Sequence, residues 1–317
     1  MTIHERLPYD QLQPVGAGIG IQPIGLTVLH RMGLLEPILR HGARVDRLHG
    51  VAHASGRDVL DLTYSAVDER LFGVGLHRGV LYSELLQGIL AREGSPSADS
   101  DHPAPGSVAL RAGVSIDDMH HHGNGCVSLL DTTGTSHGPY DLVVVADGTK
   151  SHIRSKLPWR SHERPYPFGC AWTIVPDDEH VFCDSRTLSQ VYDGTATMLG
   201  FLPTGHKHSG PAVERDSALS GPPTVSIFWS LPVASMPAFR DQSIDAWKDT
   251  VLRLEPRAAP LLSHVCSHDD VDLATYSDVS MRRFGQGPVV VLGDCAHAMS
   301  PQVRARDGFP QCVGAMV

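Results

Sequence analysis

Two short runs of uninterrupted apolar residues punctuate the chain, Leu142-Val143-Val144-Val145-Ala146 and Val289-Val290-Val291-Leu292. A continuous apolar run of this length predicts a strand buried on both faces, as in a parallel sheet. Each run leads into a Gly/Asp pair: Asp147-Gly148 after the first, Gly293-Asp294 after the second. Elsewhere the pattern is more mixed. Leu26 to Arg40 carries apolar residues at helical spacing between Pro23 and Gly42, so it predicts one helix. Tyr82 to Arg92 predicts a second helix and Ile244 to Leu254 a third. Leu48 to Ala54 and Val59 to Leu62 read as paired strands around a turn at Ser55-Gly56-Arg57-Asp58. Val108 to Asp118 and Cys126 to Asp131 also read as strands. Glu93 to Gly106, rich in Ser, Pro, Asp and Gly, reads as a mobile surface loop.

From about Pro165 to Pro232 the character changes. Trp172 to Val175, Met198 to Leu202 and Val225 to Leu231 predict strands of a mostly antiparallel sheet. The fold expected is α/β: an incomplete dinucleotide-binding, Rossmann-like parallel sheet with an inserted, mostly antiparallel substrate-binding sheet. Residues 1–164 and 286–317 are assigned to the first domain and 165–285 to the insertion. Trp172, Phe201, Phe228 and Trp229 read as sheet core more than as a stacking platform. Some of them are candidates for a pocket wall, as are Tyr192 and His297 for its polar lining.

Composition narrows the function. A net charge of −9 without any Lys/Arg-rich block argues against a nucleic-acid partner. No stretch approaches the roughly 18 apolar residues of a membrane helix. The first ten residues have no apolar signal core, and the six cysteines show no paired spacing, so reduced thiols in the cytoplasm are expected. His120-His121-His122 sits beside Gly123-Asn124-Gly125 and reads as a turn without a second ligand cluster, so no metal is expected. No GxSxG elbow supports hydrolase chemistry.

The chemistry concentrates at strand ends. Thr2-Ile3-His4-Glu5 reads as a short strand ending in an acid able to accept both hydroxyls of an adenosine ribose. Gly16-Ala17-Gly18-Ile19-Gly20 lacks the third glycine of GxGxxG and a preceding strand, so it reads as a flexible loop near a ligand rather than a phosphate loop. Asp147 is expected to project from the carboxyl end of a parallel strand, with Gly148 permitting the sharp turn. Asp294 is placed to bind a sugar-alcohol chain, with small residues after it and Pro301 stiffening the turn.

Taken in order, these motifs resemble the class A FAD-dependent monooxygenases, relatives of the aromatic hydroxylases. Glu5-Arg6 resembles that family's acid-Arg pair, Gly16 to Leu34 its loop and helix, and His77-Arg78-Gly79-Val80-Leu81 its Arg-x-x-Leu segment. Asp147-Gly148 and Gly293-Asp294 resemble its DG and GD motifs. The resemblance implies FAD and NAD(P)H as cofactors, dioxygen as co-substrate, and an apolar or aromatic small molecule that is hydroxylated or epoxidised. It implies FAD contacts from Glu5, Arg6, Gly18, Arg78, Asp147, Gly148, Gly293, Asp294 and Pro301, without a catalytic base among them.

Two departures are expected to matter. Only four residues precede Glu5, so the family's first strand and Gly-rich loop lie outside this sequence. After Gln302 the chain reads Val303-Arg304-Ala305-Arg306-Asp307 rather than a Gly-rich helix entry. The alternative expectation is therefore an inactive or FAD-poor remnant, truncated at both ends.

Overall fold

A computed structural model describes residues 1–12, 16–92, 107–195, 197–206 and 221–300. The Glu93–Gly106 segment, Pro301, Cys312 and the sequence after Gln302 lie outside the described residues. The chain divides into two compact units. The first draws on Met1–Gln13, Gln87–Tyr166 and Tyr276–Ser300, the second on Pro14–Leu86 and Pro167–Thr275.

The first unit contains β1 (Thr2–Glu5), β7 (Ala109–Ala112), β8 (Ile116–His121), β9 (Val127–Asp131), β10 (Ser136–Tyr140), β11 (Val143–Val145), β17 (Gly285–Gln286) and β18 (Val289–Val291). It also holds the short helices α4 (His152–Lys156) and α8 (Asp294–His297). Its parallel component comes as two separate pairs, β1 with β7 and β11 with β18; β17 adds antiparallel to β18. The strand expected over Val108 to Asp118 breaks in two, because Gly113 turns the chain at φ +78°. The three histidines do not form a turn: His120 and His121 close β8, and the turn follows at His122 to Cys126.

The expectation that both apolar runs are buried on two faces is corrected here. Val143 and Val145 face a core with Val127, Leu129, Ile153, Val289, Val291 and Cys295, whereas Leu142 is 58% exposed and Val144 50% exposed. Period-2 alternation gives these strands one covered face, and the unbroken apolar run conceals that.

The second unit contains β2 (Gly18–Ile21), β3 (Ala43–Val45), β4 (Arg47–Ala52), β5 (Asp58–Thr63), β6 (Gly73–His77), β13 (Thr187–Asp193), β14 (Thr197–Gly205) and β15 (Thr224–Pro232). Two long strands, β12 (Ser161–Pro176) and β16 (Asp272–Met281), run across the unit boundary. They join β15, β14, β13, β4 and β5 in a seven-stranded mixed sheet of order β16-β12-β15-β14-β13-β4-β5, while β2, β6 and β3 form a separate three-stranded sheet. The inserted sheet is thus not confined to residues 165–285. Strands β4 and β5 join it because β4 lies parallel to β13 in continuous register from Arg47↔Thr187 to Ala52↔Tyr192.

Helices α5 (Met236–Asp241), α6 (Ile244–Leu254) and α7 (Ala259–Leu262) cover one face of the sheet, where Trp247, Val251 and Leu261 pack on Leu199, Phe201, Val225 and Ile227. Helix α6 begins where its sequence predicts, with the Ser243 hydroxyl accepting the Ala246 N–H. The helix expected over Leu26 to Arg40 is two helices, α1 (Pro23–Met32) and α2 (Leu35–His41). Gly33 sits left-handed at φ +75° and ends the first, a conformation the apolar spacing does not reveal. Helix α3 (Arg78–Leu90) starts four residues earlier than expected, because the His77 ring accepts the Gly79 N–H at its entry.

Candidate functional site

The first unit gathers Asp147, Gly148, Gly293 and Asp294 at one level. β11 and β18 pair from Val143↔Val289 to Val145↔Val291, and the Leu292 N–H donates to the Val145 carbonyl. Both strands therefore leave the sheet together at their carboxyl ends, the side on which open α/β sheets take ligands. Gly148 turns at φ +85°, and Gly293 at φ 61°, ψ −147°, a combination open essentially only to glycine. A side chain on either glycine would meet open space. Asp147 and Asp294 are both exposed.

A residue the sequence reading did not single out holds these turns together. Arg154, in α4, is only 4% exposed. Its Nη1 donates to the Cys295 carbonyl at 3.1 Å and its Nη2 to the Thr149 carbonyl at 2.8 Å, and the same guanidinium pairs with Glu163. One cation thus spans the turn after β11 and the turn after β18. The Thr149 hydroxyl reaches toward Asp294 at 3.5 Å. Cys295 is buried, and burial, with Asp147 close by, pushes its thiol up to about 11. The thiol stays protonated and bonds to Ser151 and Asp147. Ser151 in turn caps α4 by accepting the Arg154 N–H at 2.9 Å. The signal available in sequence was a cation three residues beyond a Ser cap in a segment otherwise small and apolar.

Glu5 ends β1, parallel to β7, and one carboxylate oxygen accepts the Leu7 N–H at 2.8 Å. Arg6 is exposed. The preceding residue, His4, bonds to the Tyr140 hydroxyl at 3.0 Å and lies 4.9 Å from the His137 ring, which bonds to Asp131. Burial, then His137 and Arg111, lower the His4 pKa to about 4, against the pull of Asp131. Because the folded-state value is depressed, the unfolded chain binds the proton first. The contribution of His4 is therefore complete above about pH 6.5 and is lost as pH falls toward 4. For a half-buried ring we expect a loss of about 2 kcal/mol over that window. Denaturant titrations at pH 7.5 and 4.5 on the native chain and on His4→Gln check this: the variant should show a flatter dependence, and equal slopes would refute it.

The remaining candidates lie in the second unit. Gly18 does not belong to a loop. It opens β2, antiparallel to β6, and its N–H donates to the Ser226 hydroxyl at 3.3 Å. A Cβ there would fall 2.5 Å from Ser226 Cβ, so packing accounts for this glycine. Arg78 opens α3, its N–H donating to the Ala17 carbonyl at 3.0 Å. Its guanidinium stem lies against Gly16, where a Cβ would approach Arg78 Nε to 2.8 Å. Gly16 and Gly18 thus serve contact with other elements of the second unit, whereas a Cβ on Gly20 would meet open space.

A cavity of about 440 Å³ in the first unit is lined by His162, Glu163, Arg164, Asp278 and Ser280. Among the described residues no His/Cys/Asp/Glu group could hold a metal, none of the five cysteines is in a disulfide, and no helix is long and apolar enough to cross a membrane.

No family model matches the chain. It is 25% identical over 302 residues to the 2-heptyl-3-hydroxy-4(1H)-quinolone synthase of Pseudomonas aeruginosa, covering 93% of this chain and 68% of that enzyme. It is 23% identical over 310 residues to the phenazine 1,6-dicarboxylic acid hydroxylase PhzS of Lysobacter antibioticus, covering 92% and 69% respectively. Its structure superposes on PqsL, a probable FAD-dependent monooxygenase from Pseudomonas aeruginosa, with a TM-score of 0.73 and 18% identity over 95% of this chain and 73% of that one. The likeness in sequence and the likeness in fold both run through nearly the whole chain.

Proposed function

We propose that this chain, by family an FAD-dependent monooxygenase of the class A, aromatic-hydroxylase-like kind, uses NAD(P)H and dioxygen to hydroxylate or epoxidise an apolar or aromatic metabolite. The observation that carries the reading is the pair of Gly/Asp turns at the carboxyl ends of two adjacent parallel strands, locked together by Arg154.

The residues present fit a flavin. Gly148 and Gly293 leave their backbone open to close approach, and both aspartates are exposed beside it. When bound, FAD supplies the redox chemistry, taking reducing equivalents from the nicotinamide and delivering one atom of dioxygen. The protein's part is to bind, orient and exclude water. Asp294 is assigned to hydroxyls of the ribityl-phosphate region, and Asp147 to the flavin and the nicotinamide cofactor. Glu5 is assigned to the adenosine ribose, where an acid at the end of a parallel strand accepts hydroxyl hydrogens. Arg78, steadied by Gly16, presents a cation for the pyrophosphate or ribityl chain. The seven-stranded sheet supplies the substrate wall. The relatives named above, by their names, make a hydroxyquinolone and hydroxylate a phenazine, which supports a ring-containing substrate.

The test is reconstitution with FAD, followed by the flavin absorbance spectrum, NADPH oxidation with oxygen consumption, and product mass spectrometry. Asp294→Ala should weaken FAD retention at least about tenfold, the worth of a lost hydrogen bond to a charged group. Its unfolding midpoint should hardly move, because Asp294 is exposed and among the described residues its side chain reaches only Thr149. FAD retention equal to that of the native chain would remove Asp294 from the site, and failure of the native chain to take up FAD would overturn the reading.

A further inference from the structure

The face of the large sheet turned away from α6 and α7 sets aromatic rings beside a buried amide. Register places Trp172 opposite Phe228, Phe228 opposite Gly200, Gly200 opposite Gln190, and Gln190 opposite Gly50. Residues in such a row share one face. The two glycines are occupied by neighbouring rings: a Cβ on Gly200 would fall 2.0 Å from Phe228 Cε2, and one on Gly50 2.8 Å from Tyr192 Cε2. Phe228 and Tyr192 therefore lean into the sheet on either side of Gln190, with half-buried Trp172 beyond Phe228.

Gln190 is only 7% exposed. Its Oε1 accepts the Tyr192 hydroxyl at 2.9 Å, while among the described residues its Nε2 meets only the Met198 thioether, at 3.8 Å. A thioether accepts weakly, so with Oε1 toward the Tyr192 hydroxyl the NH₂ is left almost unused. A buried amide donor without an oxygen acceptor is costly, which is the condition under which a ligand oxygen is recognised strongly.

Resting on the reading of this sheet as the substrate wall, we propose that Gln190 is a specificity-determining residue. Its NH₂ donates to a ring-borne oxygen, oxo or hydroxyl, of a flat aromatic substrate seated against Tyr192, Phe228 and Trp172. Tyr192 holds the amide in the orientation that offers the donor. Offset stacking on the two inclined rings supplies the ring affinity, and Gln190 selects where the oxygen sits.

The experiment titrates the full chain with 2-naphthol and with naphthalene, read by quenching of tryptophan fluorescence. The native chain should bind 2-naphthol about tenfold more tightly than naphthalene, the worth of one well-placed hydrogen bond. Gln190→Met, close in volume, should bring that ratio to about one and leave naphthalene binding unchanged. Tyr192→Phe, which removes only the hydroxyl orienting the amide, should lower the ratio in the same direction and serves if the first variant does not fold. A ratio unaltered by both variants, or no binding of either probe, overturns the proposal. Flavin retention measured on the same preparations separates the two readings: FAD bound with an unaltered naphthol ratio removes Gln190 and leaves the flavin assignment intact. A ratio that responds to Gln190 in a chain unable to take up FAD does the reverse.

Discussion

Arg154→Met is expected to destabilise the first unit by about 4 kcal/mol and to abolish FAD retention. The guanidinium is buried and donates to two backbone carbonyls, Thr149 and Cys295, that belong to different turns. Removing it strands two acceptors away from water, each at a cost of about 1–3 kcal/mol. It also frees the Gly148 and Gly293 turns to move independently. The Glu163 partner contributes less to this cost, since its side chain is 40% exposed and an exposed carboxylate is well solvated without its cation. Glu163→Gln takes the counter-charge from the buried guanidinium but keeps an amide oxygen to accept from it, and should cost about 1–2 kcal/mol. Arg154→Lys should fall between the two, because an ammonium is a point charge without the planar fork that serves both carbonyls. Denaturant unfolding with the flavin spectrum recorded in parallel tests the ordering. A Glu163→Gln variant as damaged as Arg154→Met would show that the ion pair, and not the tie between the turns, is what matters.

How much of this was legible beforehand follows from the kind of signal each feature leaves. Helix α6 was, because a Ser cap and a 3.6-residue apolar period agree over eleven residues. The Gly/Asp turns were, because a short apolar run followed by a glycine leaves few conformations to consider. The division at Gly33 was not, since a left-handed glycine interrupts a helix without disturbing the apolar spacing on either side. The assignment of β4 and β5 to the large sheet was hidden because parallel pairing with β13 joins residues about 140 positions apart, beyond any local pattern. The half-exposed face of β11 was hidden because Val144 is as apolar as its buried neighbours Val143 and Val145.

The aromatic residues of the sheet illustrate a partial reading. Trp229 and Phe201 do belong to the core under α6, with Trp229 edge-on to Trp247 and Phe201 stacked on Phe182. Phe228 and Trp172 lie on the opposite face, as strand alternation requires once register is known. Residue type alone does not say which of the four are core and which are candidates for a pocket wall; the strand period divides them into two pairs with different surroundings. Gln190 and Tyr192 fall two residues apart for the same reason, while the pairing with β4 brings Gly50 under the Tyr192 ring and the pairing of β14 with β15 brings Gly200 under Phe228.

The second large effect is expected at Asp177→Ala, also about 4 kcal/mol, but in the second unit. Asp177 and Asp178 are indistinguishable in sequence and opposite in situation. Asp178 is largely exposed and bonds to His264, whereas Asp177 is completely buried. Asp177 Oδ1 accepts the Val181 N–H at 3.0 Å, and Oδ2 accepts the N–H groups of Phe182 and Cys183 at 2.9 and 2.8 Å. Three backbone donors are thereby satisfied by one carboxylate, with charge-assisted strength. The loop so formed delivers Phe182 into the core, where it stacks on Phe201 with centroids 4.4 Å apart. Burial, and then the same carboxylate, raise the Cys183 pKa, so the thiol beside it stays protonated. Alanine would leave three N–H groups without acceptors and loosen the seat of Phe182, which sets the magnitude. Asn should recover roughly half, since its carbonyl oxygen still accepts while its NH₂ faces donors. Asp178→Ala, by contrast, should change stability by less than about 1 kcal/mol. Urea unfolding of the three variants decides between them, and a cost for Asp177→Ala no larger than that for Asp178→Ala would show that the loop holds Phe182 without its carboxylate.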